Sequence, residues 1–240
     1  MGKWLLLYQN PETAGDGNAD RLDDVLKVRE SPQRSQLFAK LRREINDERV
    51  IAAMERLPRE IFMPIGVRHM AYADQALPIG SGQTISQPTI VAMMTSALKL
   101  TGRDRVLELG TGSGYQAAVL ASLAKEVITL ERHPALIESA RKTLDALGIM
   151  NVHIRQAGKG LGLLEEAPYD AIIVTAAAPR IPDSLVAQLK VGGRMVIPVG
   201  PRHGQDLLVV TRTADGVTTE TLGPCGFVPL IDPEAWPDES

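Results

Sequence analysis

Three features of this chain predict a doubly wound α/β fold with a mostly parallel sheet. From residue 105 onward, short apolar runs alternate with helical patterns, the signature of parallel strands joined by crossover helices. A glycine-rich turn, Gly110-Thr111-Gly112-Ser113-Gly114, joins the first of these runs to the helix after it. Near the C-terminus, Ala214-Asp215-Gly216 separates two strand-like runs, so the sheet should end in an antiparallel hairpin.

The elements follow in order. Residues 9–33 are polar and rich in turn formers such as Pro11, Gly15, Asp16, Gly17, Asn18 and Pro32. They read as a loose arm with a short helix over Leu22 to Val28. From Ser35 the pattern turns helical, with Leu37, Leu41, Ile45 and then Val50, Met54, Leu57 at spacings near three and four. Pro58 ends the second of these N-terminal helices. Residues 59–89 hold Pro64, Gly66, Pro78, Gly80, Gly82 and Pro88 and read as irregular. Because this long loop also carries Ile61, Phe62, Ile79 and Ile85, it reads as a functional loop. A helix is expected over Thr89 to Leu100.

Strands are then expected at Arg105 to Leu109, Glu126 to Leu130, Val152 to Arg155, Ala171 to Thr175, Arg194 to Pro198, Leu207 to Thr213 and Val217 to Leu222. Helices fall at Tyr115 to Leu123, Pro134 to Leu147 and Asp183 to Leu189. The chain therefore divides into an arm (1–34), a helical segment with the long loop (35–100), the alternating core (101–232) and a short tail (233–240).

Composition narrows the function. A chain of 240 residues with 44% hydrophobic residues suits one α/β domain with a sizeable core. A net charge of −3 argues against a nucleic-acid partner held by bulk electrostatics. Cys225 is the single cysteine, so no internal disulfide forms and a reducing compartment is indicated. The leading apolar run, Trp4 to Tyr8, is too short for a signal-peptide core and no small-residue cleavage site follows. No segment is apolar and long enough to span a bilayer. Gly2 is followed by Leu6 where a myristoylation signal needs Ser or Thr. A soluble, cytoplasmic monomer is expected, with no membrane or nucleic-acid partner.

The glycine turn carries the strongest functional signal. It sits at the carboxyl end of the first core strand, where open α/β sheets bind ligands. Its glycines allow a tight turn and a close backbone approach to a ligand. Glu131, at the end of the next strand and about 20 residues on, is placed to accept hydrogen bonds from both hydroxyls of a ribose. The G-x-G-x-G spacing differs from the dinucleotide G-x-G-x-x-G. An adenosine ligand is thereby indicated, either a dinucleotide or S-adenosylmethionine. His69, His133, His153 and His203 have no spacing that suggests a metal site.

The stretch Leu107 to Gly114 resembles the glycine motif of class I methyltransferases, whose fold is Rossmann-like. Three further blocks resemble protein-L-isoaspartate O-methyltransferases: Gly80-Ser81-Gly82-Gln83-Thr84-Ile85-Ser86-Gln87-Pro88, Ala167 to Pro179, and Phe227-Val228-Pro229-Leu230. Gly192 to Gly200 lies between the last two, and the similarity runs in order from about Leu37 to Leu230. The Thr-Ile-Ser-Gln-Pro block is the specific one; the glycine loop is shared by many methyltransferases.

The resemblance implies an enzyme that uses S-adenosylmethionine as its cofactor. It implies methylation of the free α-carboxylate of L-isoaspartyl residues in damaged proteins or peptides, whose methyl ester then collapses to a succinimide. It also implies site residues. Ser86 matches the active-site serine, which would donate to the incoming carboxylate; capping the helix that starts near Thr89 is its other expected role. Gln83, Thr84 and Ile85 would fold over the cofactor with Ser86. Gly110, Thr111, Gly112, Ser113, Gly114, Glu131 and Arg132 would hold it, with Lys159 and Gly160 at its adenine. Tyr115 and the Ala176-Ala177-Ala178-Pro179 turn would flank the site.

One block departs from the family pattern. The family has Gly-Asp-Gly after the third strand, with the Asp near the adenine amino group. Here the chain reads Gly158-Lys159-Gly160, and lysine only donates. Three placements stay open: a backbone carbonyl takes over, Lys159 points to solvent, or it meets a carboxylate of cofactor or substrate. Two other functions share the architecture, a methyltransferase for aspartate in a dedicated peptide and a non-catalytic binder of S-adenosylmethionine. A nicotinamide oxidoreductase is disfavoured by the glycine spacing.

Overall fold

The computed structural model describes residues 31–236. The arm up to residue 30, including the helix expected over Leu22 to Val28, lies outside the described residues, as do residues 237–240.

Helix α1 (Pro32–Glu44) starts three residues before the expected Ser35. Ser31 accepts from the Arg34 amide at 3.2 Å, and Pro32 fits a first turn that needs no amide donor. Helix α2 (Glu48–Glu55) is capped by Asp47, which accepts from the Arg49 and Val50 amides. Both helices bury one stripe, with Leu37, Phe38 and Leu41 from α1 and Val50, Ile51 and Met54 from α2.

The loop expected over 59–89 is more ordered than its prolines and glycines suggest. It holds 3-10 turns at Arg59–Phe62 and Ile65–Met70, then a two-stranded antiparallel hairpin of β1 (Leu77–Gly80) and β2 (Gln83–Ile85). Helix α3 (Pro88–Ala97) follows.

The alternating region then runs β3 (Arg105–Leu109), α4 (Tyr115–Ala121), β4 (Glu126–Glu131), α5 (Pro134–Ala146), β5 (Val152–Gln156), β6 (Tyr169–Val174), α6 (Asp183–Ala187), β7 (Leu189–Val199), β8 (Gln205–Arg212) and β9 (Val217–Cys225). Its seven-stranded sheet has the order β5-β4-β3-β6-β7-β8-β9. Strands β5 to β7 in that order are parallel. The expected β8–β9 hairpin is present, and β7–β8 is antiparallel too.

The sheet is buried on both faces, which is why its central strands are apolar throughout. Val106, Ile173 and Val196 pack with Met94, Leu98 and Leu120 from α3, the turn after it and α4. Leu107, Ile172 and Met195 pack on the other face with Leu185 and Leu189. Leu107 and Ile172 are fully buried, so truncating either to alanine should cost about 2–5 kcal/mol. The N-terminal helices pack on Tyr115, Ala118 and Val119 of α4 and Leu144 of α5. This docking holds the 59–87 segment close to the ends of the central strands.

Chain order reverses at β3. Strand β4 lies on one side of it and β6 on the other. A crevice outside the carboxyl ends of β3 and β6 is the expected ligand position in such a sheet.

Candidate active site

That crevice holds a cavity of about 340 Å³, within the usual range for a small-molecule site. The glycine turn forms its floor. Gly110, Gly112 and Gly114 have φ of +98°, +53° and +86°, which side chains rarely adopt. Gly110 is also hemmed in: a Cβ there would stand 2.3 Å from Thr175 Oγ1. Thr175 Oγ1 donates toward the Leu109 and Gly110 carbonyls, at 2.9 and 2.8 Å, tying the turn to the end of β6.

Glu131 ends β4 and lies beside this turn. Its Oε2 accepts from the Gly112 amide at 2.9 Å. Its Oε1 accepts from the Arg132 and His133 amides at 2.8 and 3.0 Å. The carboxylate is 6% exposed and lines the cavity, so its position is set before any ligand arrives.

The structure divides the other expected residues into two groups. Gln83, Thr84, Ser86, Arg132 and Gly160 line the cavity with Gly110, Gly112 and Glu131. Thr111, Ser113, Gly114, Ile85 and Lys159 are not among its lining residues. Thr111 Oγ1 is buried 2.7 Å from Thr129 Oγ1, and Ser113 Oγ accepts from the Tyr115 amide at 3.3 Å. Gly114 lets α4 pass close to Ala140 of α5. Ile85 is paired with Leu77 across the β1–β2 hairpin and buried with it among apolar neighbours. Lys159 is exposed, while Gly158 and Gly160 on either side face the cavity.

Tyr115 does not flank the cavity as expected. It opens α4 on the face that meets the N-terminal helices, 2% exposed, with the Phe62 ring edge-on at 5.3 Å. Of the alanine turn, Ala176 lines the cavity. Ala177 and Ala178 instead bridge to Pro229 and Val199.

Ser86 precedes α3, but the capping role belongs to another residue. The N-cap position is Gln87, with no side-chain cap bond. Asp74 supplies the missing acceptor: it takes the Thr89 amide at 2.9 Å and the Thr89 hydroxyl at 2.7 Å. Burial alone would raise the Asp74 pKa, yet its bonds from Lys40 and Thr89 hold it below the usual value. Among the described residues no hydrogen bond engages Ser86 Oγ, and Ser86 lines the cavity with its hydroxyl uncommitted.

Several lining residues escaped sequence reasoning. The segment Pro224 to Asp232 forms one wall. It is held by Ala177, whose amide donates to Val228 O and whose carbonyl accepts from the Leu230 amide, both at 2.8 Å. Arg132 Nη1 reaches across to Ile231 O at 3.3 Å. The Phe227-Val228-Pro229-Leu230 block was the available signal, but nothing local says what it covers. Cys225 lies in the same wall, and burial pushes its thiol up to about 11. No group of three His, Cys, Asp or Glu among the described residues could hold a metal. No helix among them is long and apolar enough to cross a membrane.

Residues 32–235 match the family model for protein-L-isoaspartate (D-aspartate) O-methyltransferase. The chain belongs to this family. A family member from Marinobacter nauticus, protein-L-isoaspartate O-methyltransferase 2, is 52% identical over 89% of this chain and 97% of its own length. A protein-L-isoaspartate O-methyltransferase from Syntrophus aciditrophicus is 52% identical over 81% of this chain and 90% of its own.

Solved structures agree. One protein-L-isoaspartate O-methyltransferase superposes with TM-score 0.74 at 27% identity, over 82% of this chain; the match spans 65% of that longer protein. A candidate member from Plasmodium falciparum, solved with S-adenosyl-L-homocysteine, gives TM-score 0.70 at 27% identity, over 82% of this chain and 97% of that one.

Proposed function

We propose that this chain transfers a methyl group from S-adenosylmethionine to the free α-carboxylate of L-isoaspartyl residues in proteins and peptides. The ester then closes to a succinimide, the first step of repair. Family membership supports the activity. The observation that carries the site is a single cavity lined by both the Glu131-anchored glycine turn and the uncommitted Ser86 hydroxyl.

The residues fit the cofactor. Gly110 and Gly112 leave open a cradle that side chains would crowd, and the cavity suits a nucleoside-sized ligand. Glu131 would take a ribose hydroxyl on Oε2, which so far accepts only the Gly112 amide. Gly158 and Gly160 would lie along the adenine, and the main chain of Gln83 and Thr84 over the amino-acid end. When bound, S-adenosylmethionine supplies an electrophilic methyl on a cationic sulfur.

The chain's own work is alignment. A substrate carboxylate, with a pKa near 4, is ionised at neutral pH and needs no general base. Ser86 Oγ donates to one carboxylate oxygen and turns the other toward the methyl. The reaction consumes a negative and a positive charge, so excluding water favours it. The Pro224 to Asp232 wall does this. Cys225, held as the neutral thiol, is a weak competing nucleophile there.

The same reading makes the protein a monomer that acts on polypeptide in the cytoplasm. The single cysteine supports the compartment, and the net charge of −3 supports polypeptide over nucleic acid as the substrate.

The test uses methyl-labelled S-adenosylmethionine and two synthetic peptides that differ only in isoaspartate against aspartate. Base-labile label should appear on the isoaspartyl peptide alone and fall strongly in Ser86→Ala. Equal labelling of both peptides, or of neither while the cofactor still binds by calorimetry, would sink the proposal.

A further inference from the structure

The loop that carries Ser86 is held from behind by a buried cation. Arg59 is 1% exposed and opens the 3-10 turn that follows Pro58. Its Nε donates to Ala71 O at 2.9 Å, and its Nη2 donates to Ser86 O at 2.8 Å. Its guanidinium carbon lies 4.7 Å from the centroid of the Tyr115 ring. Tyr115 is the first residue of α4, directly after Gly114. One side chain thus joins its own segment, the main chain of Ser86 and the start of the helix behind the glycine turn.

Packing does not explain why this residue is an arginine. Burying a guanidinium is costly unless it is paired and fully hydrogen-bonded. Here the partners are two carbonyls and the Tyr115 side chain, with the Asp74 charge acting only at longer range, and Nη1 has no hydrogen-bond partner among the described residues. Burial lowers its pKa while Tyr115 opposes the shift, and a guanidinium stays charged regardless. An apolar side chain of similar volume would fill the space without that penalty. What it would lose is the two-pronged grip on Ala71 and Ser86. On the far side of Ser86, Asp74 holds Thr89, so the short run from Ser86 to Thr89 is clamped at both ends.

We propose that Arg59 is a positioning residue for methyl transfer. By fixing the Ser86 main chain against the start of α4, it sets where the Ser86 hydroxyl meets the substrate carboxylate relative to the cofactor loop. This rests on the reading of Ser86 given above. Lysine cannot replace it, because one ammonium on a flexible stem does not reproduce a planar fork that reaches two carbonyls. Misplacement of a reacting group by about 1 Å is enough to cost about 100-fold in rate.

The experiment compares wild type, Arg59→Lys, Ser86→Ala and the double variant. Each is assayed for S-adenosylhomocysteine affinity by calorimetry and for kcat and KM on an isoaspartyl peptide. Arg59→Lys should keep cofactor affinity within about twofold and lose about 10- to 100-fold in kcat/KM. The double variant should be no worse than the poorer single variant by more than about threefold, because both changes remove one interaction.

Activity of Arg59→Lys within about threefold of wild type overturns the proposal. So does a double variant whose loss equals the product of the single losses. Should Arg59→Lys fail to bind S-adenosylhomocysteine, Arg59→Met, which keeps volume and removes the donors, is read against the same thresholds; loss of cofactor binding there as well makes Arg59 a folding residue and also overturns the proposal. Wild-type activity in Ser86→Ala is a separate result that removes the reading of Ser86 itself, and this proposal with it.

Discussion

Glu131 Oε2 accepts a hydrogen bond from the Gly112 amide at 2.9 Å, so the end of β4 grips the glycine turn that leaves β3. The other oxygen takes the amides of Arg132 and His133. Glutamine offers one acceptor oxygen where three amides converge, and its amide group would face a donor. Leaving a buried donor unmatched costs about 1–3 kcal/mol. Glu131→Gln should therefore weaken S-adenosylhomocysteine binding about 10- to 100-fold by titration calorimetry. An unchanged affinity would show that the carboxylate does not organise the cofactor side of the site.

Gly110 and Thr175 should tolerate no added methyl between them. An alanine at 110 would set its Cβ 2.3 Å from Thr175 Oγ1 on a backbone with φ of +98°. Backbone strain of about 1–3 kcal/mol adds to the loss of the hydrogen bond that the single Thr175 hydroxyl proton shares between the Leu109 and Gly110 carbonyls, about 1 kcal/mol. Gly110→Ala should lower the thermal midpoint by about 6–12 °C at this chain length. Gly158→Ala is the control, since a Cβ there meets nothing within 4 Å. It should change stability by less than about 0.5 kcal/mol.

Lys159 stands in an exposed loop whose neighbours line the cavity. On the proposed placement of the adenine along Gly158 and Gly160, Lys159→Asp offers an acceptor beside it, where one hydrogen bond is worth about 0.5–1.5 kcal/mol. Affinity for S-adenosylhomocysteine should rise by up to about tenfold, with the thermal midpoint unmoved. Equal affinity in the two proteins would mean that the side chain at 159 does not reach the adenine.

Glu108 is wholly buried on β3, and neither carboxyl oxygen has a hydrogen-bond partner among the described residues. Burial, partly offset by the nearby Thr129 hydroxyl and with a smaller push from the Glu131 charge, raises its pKa to about 8 from 4.5. The folded state keeps a proton that the unfolded chain releases, so this group's stabilising contribution is fully present below pH 4.5 and is lost as pH rises through about 8. Glu108→Gln keeps the shape and cannot ionise. Urea midpoints of wild type should fall relative to the variant as pH rises from 4.5 to about 8. Parallel midpoints across the range would contradict a protonated Glu108.

Much of the fold was legible because its signals are local. Arg105 to Leu109 reads as a strand because it is buried on both faces, and the glycines that follow mark a turn of positive φ wherever the rest of the chain lies. Glu131 was legible by its distance from that turn, and the β8–β9 hairpin by Ala214-Asp215-Gly216. Ser86 was legible only through resemblance, since a lone serine before a proline-opened helix also reads as a cap.

Other features depend on partners far away in the chain. Periodicity shows that a helix has a buried face but not what covers it, so Tyr115 was expected at the cavity and instead packs on Phe62 and Arg59. The 59–89 segment looked irregular because its order comes from long-range bonds, Arg59 to Ser86 and Asp74 to Thr89. The wall at Pro224 to Asp232 exists because Ala177, some 50 residues earlier, supplies its hydrogen bonds. Residue types and short spacings thus settle which strands and helices of the alternating core form and where the glycine turn falls, since those energies act within a few residues. Which side chains reach the cavity, and what holds Ser86 there, was decided by tertiary contacts, whose energies arise only once distant segments meet.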